Sequence, residues 1–195
     1  MVVLVLGLVV FLGLHAIAMN PQLRDGLASR FGESAYKIGF SIASAVGLIV
    51  IIYGYHKLQL HPGKNPQIWN PPEWMRHVTL LLMLPSIILL VASLVPSRIR
   101  TTVRHPLLLA VKLWALAHLL ANGDLGSMIL FGSFLAYAVA DRISVKKRAA
   151  LGPLGDKVAN GWANDVGVIV AGVLAYAFIV SWAHEALIGV TVAAI

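Results

Sequence analysis

Long apolar stretches separated by short polar segments dominate the chain, and this pattern predicts membrane-spanning helices. A helix needs roughly 20 mostly apolar residues to cross the hydrocarbon core of a bilayer. Six segments near that length predict six spans: Val2–Met19, Tyr36–Tyr55, Val78–Val95, Pro106–Ala121, Leu125–Ala140 and Val166–His184. We therefore expect an all-α integral membrane protein, a bundle of about six transmembrane helices in a single domain over residues 1–195.

The fourth and fifth predicted spans are separated by only Asn122-Gly123-Asp124. These residue types favour a turn, so the two spans are expected to form a tight helical hairpin. Pro85 predicts a kink in the third span, because proline removes a backbone hydrogen-bond donor. The apolar tail Ala186–Ile195 is too short to cross the bilayer by itself, so it either extends the sixth helix or lies at the membrane interface.

The first span has a second interpretation, because Ala16-Ile17-Ala18 fits the small-residue cleavage site of a secretory signal peptide. A signal peptide also has a positively charged leader, and no Lys or Arg precedes Arg24. The sequence therefore favours a retained transmembrane helix.

Composition excludes several classes of protein. Of the 195 residues, 59% are apolar and 12% are charged, the latter about half of the usual share in a soluble domain. A soluble fold of this length could not bury so many apolar side chains. Cysteine is absent from the sequence, which excludes disulfide scaffolds, thiolate zinc sites and iron–sulfur clusters.

Lys and Arg are distributed unevenly between the predicted loops. Eleven of the 15 follow spans one, three and five: Arg24, Arg30, Lys37, Arg98, Arg100, Arg104, Arg142, Lys146, Lys147, Arg148 and Lys157. Because cytoplasmic loops carry this excess, the pattern predicts that both termini lie outside the cytoplasm. The net charge of +7 then reflects topology and contact with anionic lipid. No base-reading motif accompanies it, so we expect the lipid bilayer and no nucleic acid as a partner.

Two of the seven histidines, His15 and His118, lie well inside apolar spans. Ionisable residues at such positions are costly and suggest function, although a hydrogen bond to a neighbouring helix is the alternative. No acidic residue lies mid-span, which disfavours sites for hard cations. Imidazoles in an apolar cavity suit a b-type haem, whose iron two histidines hold axially. HExxH and GxSxG motifs do not occur, and the catalytic residues stay unassigned.

His105 and His118 cannot both bind one iron from one continuous helix. Thirteen residues separate them, which corresponds to a rise of roughly 20 Å. One of them must therefore pair with a histidine of another helix. His105 also has a structural interpretation as an interfacial residue, because Pro106 suits the first position of a helix.

The segment Arg104-His105-Pro106, followed by the residues WALAHLLANGD at 114–124, resembles the NnrU family, as does Phe11 followed by His15. The resemblance extends over essentially the whole chain and identifies an NnrU-like transmembrane domain. The family includes bacterial proteins linked to denitrification, and also zeta-carotene isomerase, a b-type haem protein. The resemblance implies haem b bound by His15 and His118, with His56 and His105 as less favoured ligands. It further implies the bacterial inner membrane, and the termini that the Lys and Arg distribution predicts to lie outside the cytoplasm are then periplasmic.

Two functions follow from this resemblance. One is a role in nitrogen-oxide metabolism beside a respiratory membrane enzyme, and the other is haem-dependent cis–trans isomerisation of a hydrophobic polyene such as zeta-carotene. Haem propionates are anionic, and the cationic residues expected on the face of a His15-bound haem are Arg100, Arg104 and Lys112. The alternative is that the two arginines only set topology and that the Lys112 side chain extends to the interface.

The predicted topology leaves the ligand pair open. His15 and His118 fall on opposite sides of the midplane, offset by ~13 Å along the membrane normal. Ligand nitrogens on one iron lie only about 4 Å apart. Tilt, a re-entrant hairpin or shifted span boundaries would close this gap. Otherwise His15 pairs with His105, and the second set consists of His56, His77, His118 and His184.

Two other classes of function remain. Arg104-His105-Pro106 at the start of a hairpin also resembles the isoprenylcysteine methyltransferase-like family, which uses S-adenosylmethionine. Leu108 replaces an aromatic residue of that pattern, Ala110 replaces glycine, and Glu185 stands alone where the family has paired glutamates. The other class is a non-catalytic haem carrier or assembly factor for a respiratory enzyme.

Overall fold

The computed structural model describes residues 1–148 and 161–192. The chain divides into two compact units, Met1–Pro66 and Gln67–Ile195. Helices dominate the described part of both, so the predicted all-α class is confirmed. The single domain expected over residues 1–195 stays a prediction. Lys157, counted among the basic loop residues, lies outside the described residues.

The first unit consists of α1 (Val2–Met19), α2 (Pro21–Phe31), α3 (Glu33–Gln59) and a short 3₁₀ turn, Pro62–Lys64. The bounds of α1 are those predicted, whereas α3 is longer than its predicted span at both ends. The sequence pattern predicts a loop over the residues of α2, whereas the structure has a helix there. This helix forms because the Asn20 side chain accepts hydrogen bonds from the backbone N–H groups of Gln22 and Leu23, which caps its first turn.

Small residues bring the antiparallel helices α1 and α3 into close contact. A Cβ atom added at Gly54 would lie 2.6 Å from the backbone nitrogen of Leu4, and one at Gly7 would lie 2.7 Å from that of Ile51. Membrane helices associate largely through such close backbone packing. The glycines of these two helices therefore explain their pairing.

The second unit contains six described α-helices, of which four are long and two are short. In chain order they are α4 (Met75–Leu94), α5 (Arg98–Val103), α6 (Pro106–Ala121), α7 (Leu125–Lys147), α8 (Trp162–Phe178) and α9 (His184–Ile188), with a π-helical segment, Ile179–Ala183, between the last two. The bounds of α6 are those predicted, and α7 is longer than its predicted span. The sixth predicted span starts earlier, at Trp162.

Five helical segments of the described residues are long and apolar enough to cross a membrane: Val2–Met19, Glu33–Gln59, Met75–Leu94, Leu125–Lys147 and Trp162–Ile188. The fourth predicted span corresponds to α6, which has 16 residues and a length of about 24 Å, less than the roughly 30 Å of a hydrocarbon core. The protein is thus a multi-pass membrane bundle in which α6 is shorter than α4 and α7, the two helices that it packs against.

The helix α4 packs against both α6 and α8. Two hydroxyl groups join α4 to α6: Thr79 Oγ1 lies 2.9 Å from the carbonyl oxygen of Ala117, and Ser86 Oγ donates to that of Ala110 at 2.8 Å. The order of these pairs shows that the two helices are antiparallel. The α4 helix continues through Pro85, next to the Ser86 contact.

The predicted hairpin between α6 and α7 is confirmed. Asp124 caps α7, because its side chain accepts a hydrogen bond from the Ser127 backbone at 2.9 Å. The Gly123 carbonyl accepts one from the Ile68 backbone at 2.8 Å. A Cβ atom at Gly123 would lie 1.7 Å from the carbonyl oxygen of Trp69. Only glycine allows this approach. The turn therefore contacts Ile68 and Trp69, which precede α4.

Candidate functional site

A cavity of about 240 Å³ lies in the second unit, between α4, α6, the π-helical segment and the residues that follow α9. Most of its wall is apolar and includes Leu80, Met83, Ile87, Ile179, Val180 and Val190. Polar side chains are also present: Arg76, Thr79, His118, Asn122, Tyr176, His184 and Thr191. The cavity therefore combines hydrocarbon walls with two imidazoles and one guanidinium group.

His118 is held in one orientation by its own helix and by aromatic neighbours. Its Nδ1 lies 2.8 Å from the carbonyl oxygen of Trp114. Because a carbonyl only accepts, Nδ1 must carry the proton, and the lone pair is on Nε2. The ring centroids of Trp114 and Phe131 lie 5.4 and 4.5 Å from that of His118. The orientation of the imidazole is thus fixed by its own helix and by two aromatic rings.

His184 reaches the cavity through unusual local structure. It follows the π-helical segment Ile179–Ala183, and such segments are frequent at functional sites. Gly189, with φ 79°, ends α9 in the left-handed conformation. The chain then turns back, so that His184 Nδ1 donates to the Val190 carbonyl at 2.8 Å. Of the predicted tail, only Ala186–Ile188 extends the helix, and residues 193–195 lie outside the described residues.

The imidazole rings of His118 and His184 lie 6.3 Å apart between centroids, with their planes 21° from parallel. Metal–nitrogen bonds of about 2.0–2.1 Å place two imidazole centroids on opposite sides of one ion at roughly 6 Å. The observed centroid spacing is close to this value. Both residues belong to the second ligand set considered from the sequence, whereas His77, of the same set, is exposed and does not line the cavity.

His15 and His56, the other predicted ligands, lie in the first unit. His15 Nδ1 donates to the Phe11 carbonyl at 2.7 Å, and its ring centroid lies 5.1 Å from that of Phe40. His56 lies in the last turn of α3, roughly 24 Å along that helix from Phe40. These two histidines therefore do not meet. The pairing of His15 with a histidine of the second unit stays a prediction.

His105 lies just before α6, at the opposite end of that helix from His118. Because α6 is continuous, the two residues are separated by roughly 20 Å, which confirms that they cannot share an ion. Burial, followed by the positive charge of Arg142, lowers the pKa of His105, while Asp141 acts in the opposite direction. The imidazole is therefore favoured in its neutral form.

Arg104 has a strained backbone conformation beside His105. Its φ of 64° and ψ of −46° and the hydrogen bond from the His105 N–H to the Val103 carbonyl at 2.8 Å define a γ-turn of the rare positive-φ type. A non-glycine residue rarely adopts this conformation, and such strain occurs preferentially at functional sites. The side chain of Arg104 is exposed.

None of the three cations predicted to contact haem propionates lines the cavity. Arg100 is buried in α5, with 5% of its surface exposed, and Arg104 precedes α6, so both belong to the end opposite His118. Lys112 precedes His118 by six residues on α6, a rise of about 9 Å. Their proposed role toward a haem at His15 stays a prediction. Arg76 is not among the site residues that the sequence predicts. The distribution of Lys and Arg nevertheless predicts that it lies on the same side of the membrane as His118.

Within residues 1–148 and 161–192, no group of three or more His, Asp or Glu side chains is placed to hold a metal ion. A site built entirely from protein ligands is thus not formed by these residues. A cofactor that brings most of its own metal ligands would need only one or two histidine nitrogens from the protein.

A family model described as NnrU protein matches residues 3–192. The chain belongs to the NnrU family. The match confirms the resemblance indicated by Arg104-His105-Pro106 and by the histidine pattern of the first and fourth predicted spans. No curated protein and no solved structure matches the sequence of this NnrU protein.

The residues around the cavity of this NnrU protein fit haem b in their chemistry. The Nδ1–H group of each imidazole donates a hydrogen bond to a backbone carbonyl, and the walls of the cavity are largely apolar. The volume of about 240 Å³ is below the roughly 300–1,000 Å³ of pockets that enclose a small ligand. A macrocycle bound here would therefore not be completely enclosed by the protein.

Proposed function

We propose that this NnrU protein binds haem b in the cavity of the second unit, with His118 and His184 as axial ligands. The observation that carries the proposal is the 6.3 Å spacing of their imidazole rings. His15 is the alternative partner of His118, as the family resemblance implies. Haem b, when bound, would supply an iron centre capable of redox and Lewis-acid chemistry.

The protein's own contribution is to orient the ligands and to exclude water. The backbone carbonyls of Trp114 and Val190 accept hydrogen bonds from the Nδ1–H groups of His118 and His184, respectively. This leaves the Nε2 lone pair of each imidazole available. The Tyr176 hydroxyl donates to the Leu80 carbonyl at 3.1 Å, so this group joins α8 to α4. The polar groups of the cavity thus serve mainly to position helices and imidazoles.

As the reaction, we propose cis–trans isomerisation of a carotenoid polyene such as zeta-carotene. The largely apolar wall of the cavity suits a hydrocarbon ligand, because the transfer of apolar surface out of water is favourable. The alternative is a non-catalytic haem carrier or assembly factor in nitrogen-oxide respiration. A haem held by both His118 and His184 would suit that role.

Absorption spectroscopy tests haem binding. Protein purified in mild detergent should show a Soret band and a b-type pyridine haemochrome, and His118→Ala and His184→Ala should each abolish or shift the band. His61→Ala is the matched control, because His61 is exposed and donates from Nδ1 to the Lys57 carbonyl at 2.8 Å. His15→Ala distinguishes the two ligand pairs. An unchanged spectrum in both the His118 and His184 variants would refute the site.

Product analysis tests the reaction. Expression in a bacterium that accumulates zeta-carotene with a central cis double bond should convert it to the trans isomer, and His118→Ala should prevent this. Haem binding without conversion would favour the carrier or assembly factor. Methyl transfer from labelled S-adenosylmethionine by haem-free protein would favour the methyltransferase instead.

A further inference from the structure

A cavity of about 320 Å³ lies within the first unit, where α2 packs against α1 and α3. We call it the first-unit cavity. All three helices contribute to its wall, which is almost entirely apolar and includes Leu14, Ile17, Leu27, Phe31, Tyr36 and Phe40. Such walls suit a hydrocarbon chain, because a charged group placed against them would lose its water without gaining a polar partner.

The α2 helix has the pattern of a segment that lies along a membrane interface. Its apolar residues Leu23, Leu27 and Phe31 recur at every fourth position and therefore share one face. Because roughly 3.6 residues complete a turn, Arg24 and Arg30 lie on the two flanks of that face. Leu23 and Phe31 remain exposed. A helix of this kind places its apolar face against hydrocarbon and its basic side chains among lipid headgroups.

Both arginines of α2 pack against aromatic rings that line the first-unit cavity. The guanidinium carbon of Arg24 lies 5.9 Å from the ring centroid of Tyr36, and that of Arg30 lies 5.5 Å from the ring centroid of Phe31. Positive charge is thus placed at the rim of a cavity whose interior is apolar. This arrangement matches a ligand with a hydrocarbon chain and an anionic head.

The two arginines differ in their ionic partners. Arg24 forms ion pairs with Asp25, at 2.8 Å, and with Glu33. The Glu33 carboxylate also pairs with Lys37 at 3.2 Å. Within the described part of the chain, no carboxylate forms an ion pair with Arg30. The Arg30 guanidinium therefore offers its planar fork of donors to an external anion, and phosphate suits that geometry.

We propose that the first-unit cavity binds an acyl chain of an anionic phospholipid, with the phosphate of its headgroup on Arg30. The distribution of Lys and Arg predicts that this end of the first unit faces the cytoplasm, where anionic lipids give the membrane its negative surface. An anionic headgroup is favoured over a zwitterionic one, because Asp25 and Glu33 already pair with Arg24 and leave no unpaired carboxylate for a headgroup ammonium. The site is independent of the haem proposed for the second unit.

Photolabelling in vesicles tests the headgroup. Full-length protein is reconstituted in phosphatidylcholine vesicles that contain, at the same low mole fraction, either phosphatidylglycerol or phosphatidylcholine with a diazirine on the acyl chain. Mass spectrometry of peptides then measures the label on residues that line the cavity. In wild type the phosphatidylglycerol probe should label these residues about 5-fold more, as expected for one arginine near an anionic headgroup.

Substitution of Arg30 should remove this preference. In Arg30→Gln the labelling ratio of the two probes should fall to about 1, and Arg30→Lys should retain part of it, because lysine keeps the charge but lacks the planar fork. Lys64→Gln is the matched control, since Lys64 is an exposed cation of the same unit in the turn that follows α3. This variant should keep the wild-type ratio.

A variant that fills the cavity tests the acyl chain. Gly39 lines the cavity, and a Cβ atom added there would have no heavy atom within 4 Å. Labelling of the cavity by both probes should therefore be largely lost in Gly39→Leu. Gly13→Leu is the matched control, because a Cβ atom at Gly13 also has nothing within 4 Å and the residue does not line the cavity. If gel filtration shows that Gly39→Leu does not fold, Ala35→Leu fills the same cavity from one turn earlier in α3.

Three results would overturn the proposal. Equal labelling by both probes in wild type, or a ratio that Arg30→Gln leaves unchanged, would show that the headgroup does not bind Arg30. Unchanged labelling in the folded Gly39→Leu variant would show that the acyl chain lies elsewhere. Displacement of both probes by excess carotenoid, with or without Arg30, would assign the cavity to a polyene instead. None of these readouts depends on haem, so the haem site stands or falls on its own spectrum.

Discussion

The imidazole ring of His118 stacks on the phenyl ring of Phe131, with ring centroids 4.5 Å apart and planes 29° apart. Phe131 is in α7, on the other side of the hairpin turn, and only 3% of its surface is exposed. The position of the proposed ligand on α6 therefore depends on how α7 packs against that helix.

Removing this ring should destabilise the protein and loosen the imidazole. For Phe131→Ala we expect a loss of about 3–5 kcal/mol in the free energy of unfolding, because a large buried side chain leaves a cavity. Thermal melting in mild detergent and unfolding in a denaturing detergent measure the loss. Met128→Ala on the same helix, where 37% of the side chain is exposed, should cost clearly less. Equal costs would show that Phe131 is not a core residue.

The turn between α6 and α7 should be sensitive to a single methyl group. Gly123→Ala places a Cβ atom 1.7 Å from the Trp69 carbonyl oxygen, so the backbone must move. We expect a destabilisation of about 1–3 kcal/mol or more, measured by melting. Gly63→Ala is the control, because nothing lies within 4 Å of a Cβ atom there. If the two variants melt alike, the close approach at Gly123 does not exist in solution.

Backbone strain at Arg104 predicts that glycine is better tolerated than alanine there. Both substitutions remove the guanidinium group, but only glycine adopts φ 64° without a steric cost. Arg104→Gly should therefore be more stable than Arg104→Ala by about 1–2 kcal/mol. Comparison of their melting temperatures measures this difference. A more stable alanine variant would be inconsistent with the γ-turn.

The stability of the second unit should fall at acidic pH because of His105, which lies outside the membrane-spanning helices. Burial, then the charge of Arg142 together with that of Arg104, lowers the pKa of His105 against the opposing charge of Asp141. Below about pH 6.5 the unfolded chain therefore binds a proton more readily than the folded protein. Folding is consequently weakened as pH falls through that value.

Melting temperatures at pH 7.5 and pH 5.5 measure this effect. The decrease at pH 5.5 should be smaller in His105→Gln than in wild type, since glutamine does not titrate. His61→Gln, in an exposed position, should show the wild-type decrease. Identical pH dependence in His105→Gln and wild type would assign the effect to another group.

Local features of the sequence were sufficient for much of the fold. The bounds of α1 and α6 and the turn at Gly123 follow from apolar length and from turn residues, which act within a few positions of the chain. The α2 helix was not predicted, because a short segment with charges on several sides has the composition of a loop. The α7 helix was predicted too short, since its polar end carries no hydrophobic signal.

The sequence by itself therefore determined that this is a multi-pass helical membrane protein with histidines in apolar surroundings. It left several histidine pairs open, because composition and spacing do not specify which helices pack together. Only the tertiary structure places His184, 66 residues after His118, beside it, through the packing of α4 against both α6 and α8 and the π-helical segment before His184. Arg76 lines the same cavity as these two histidines. Such a site is formed by contacts between segments that are distant in the chain, and these contacts depend on how the side chains of whole helices pack together.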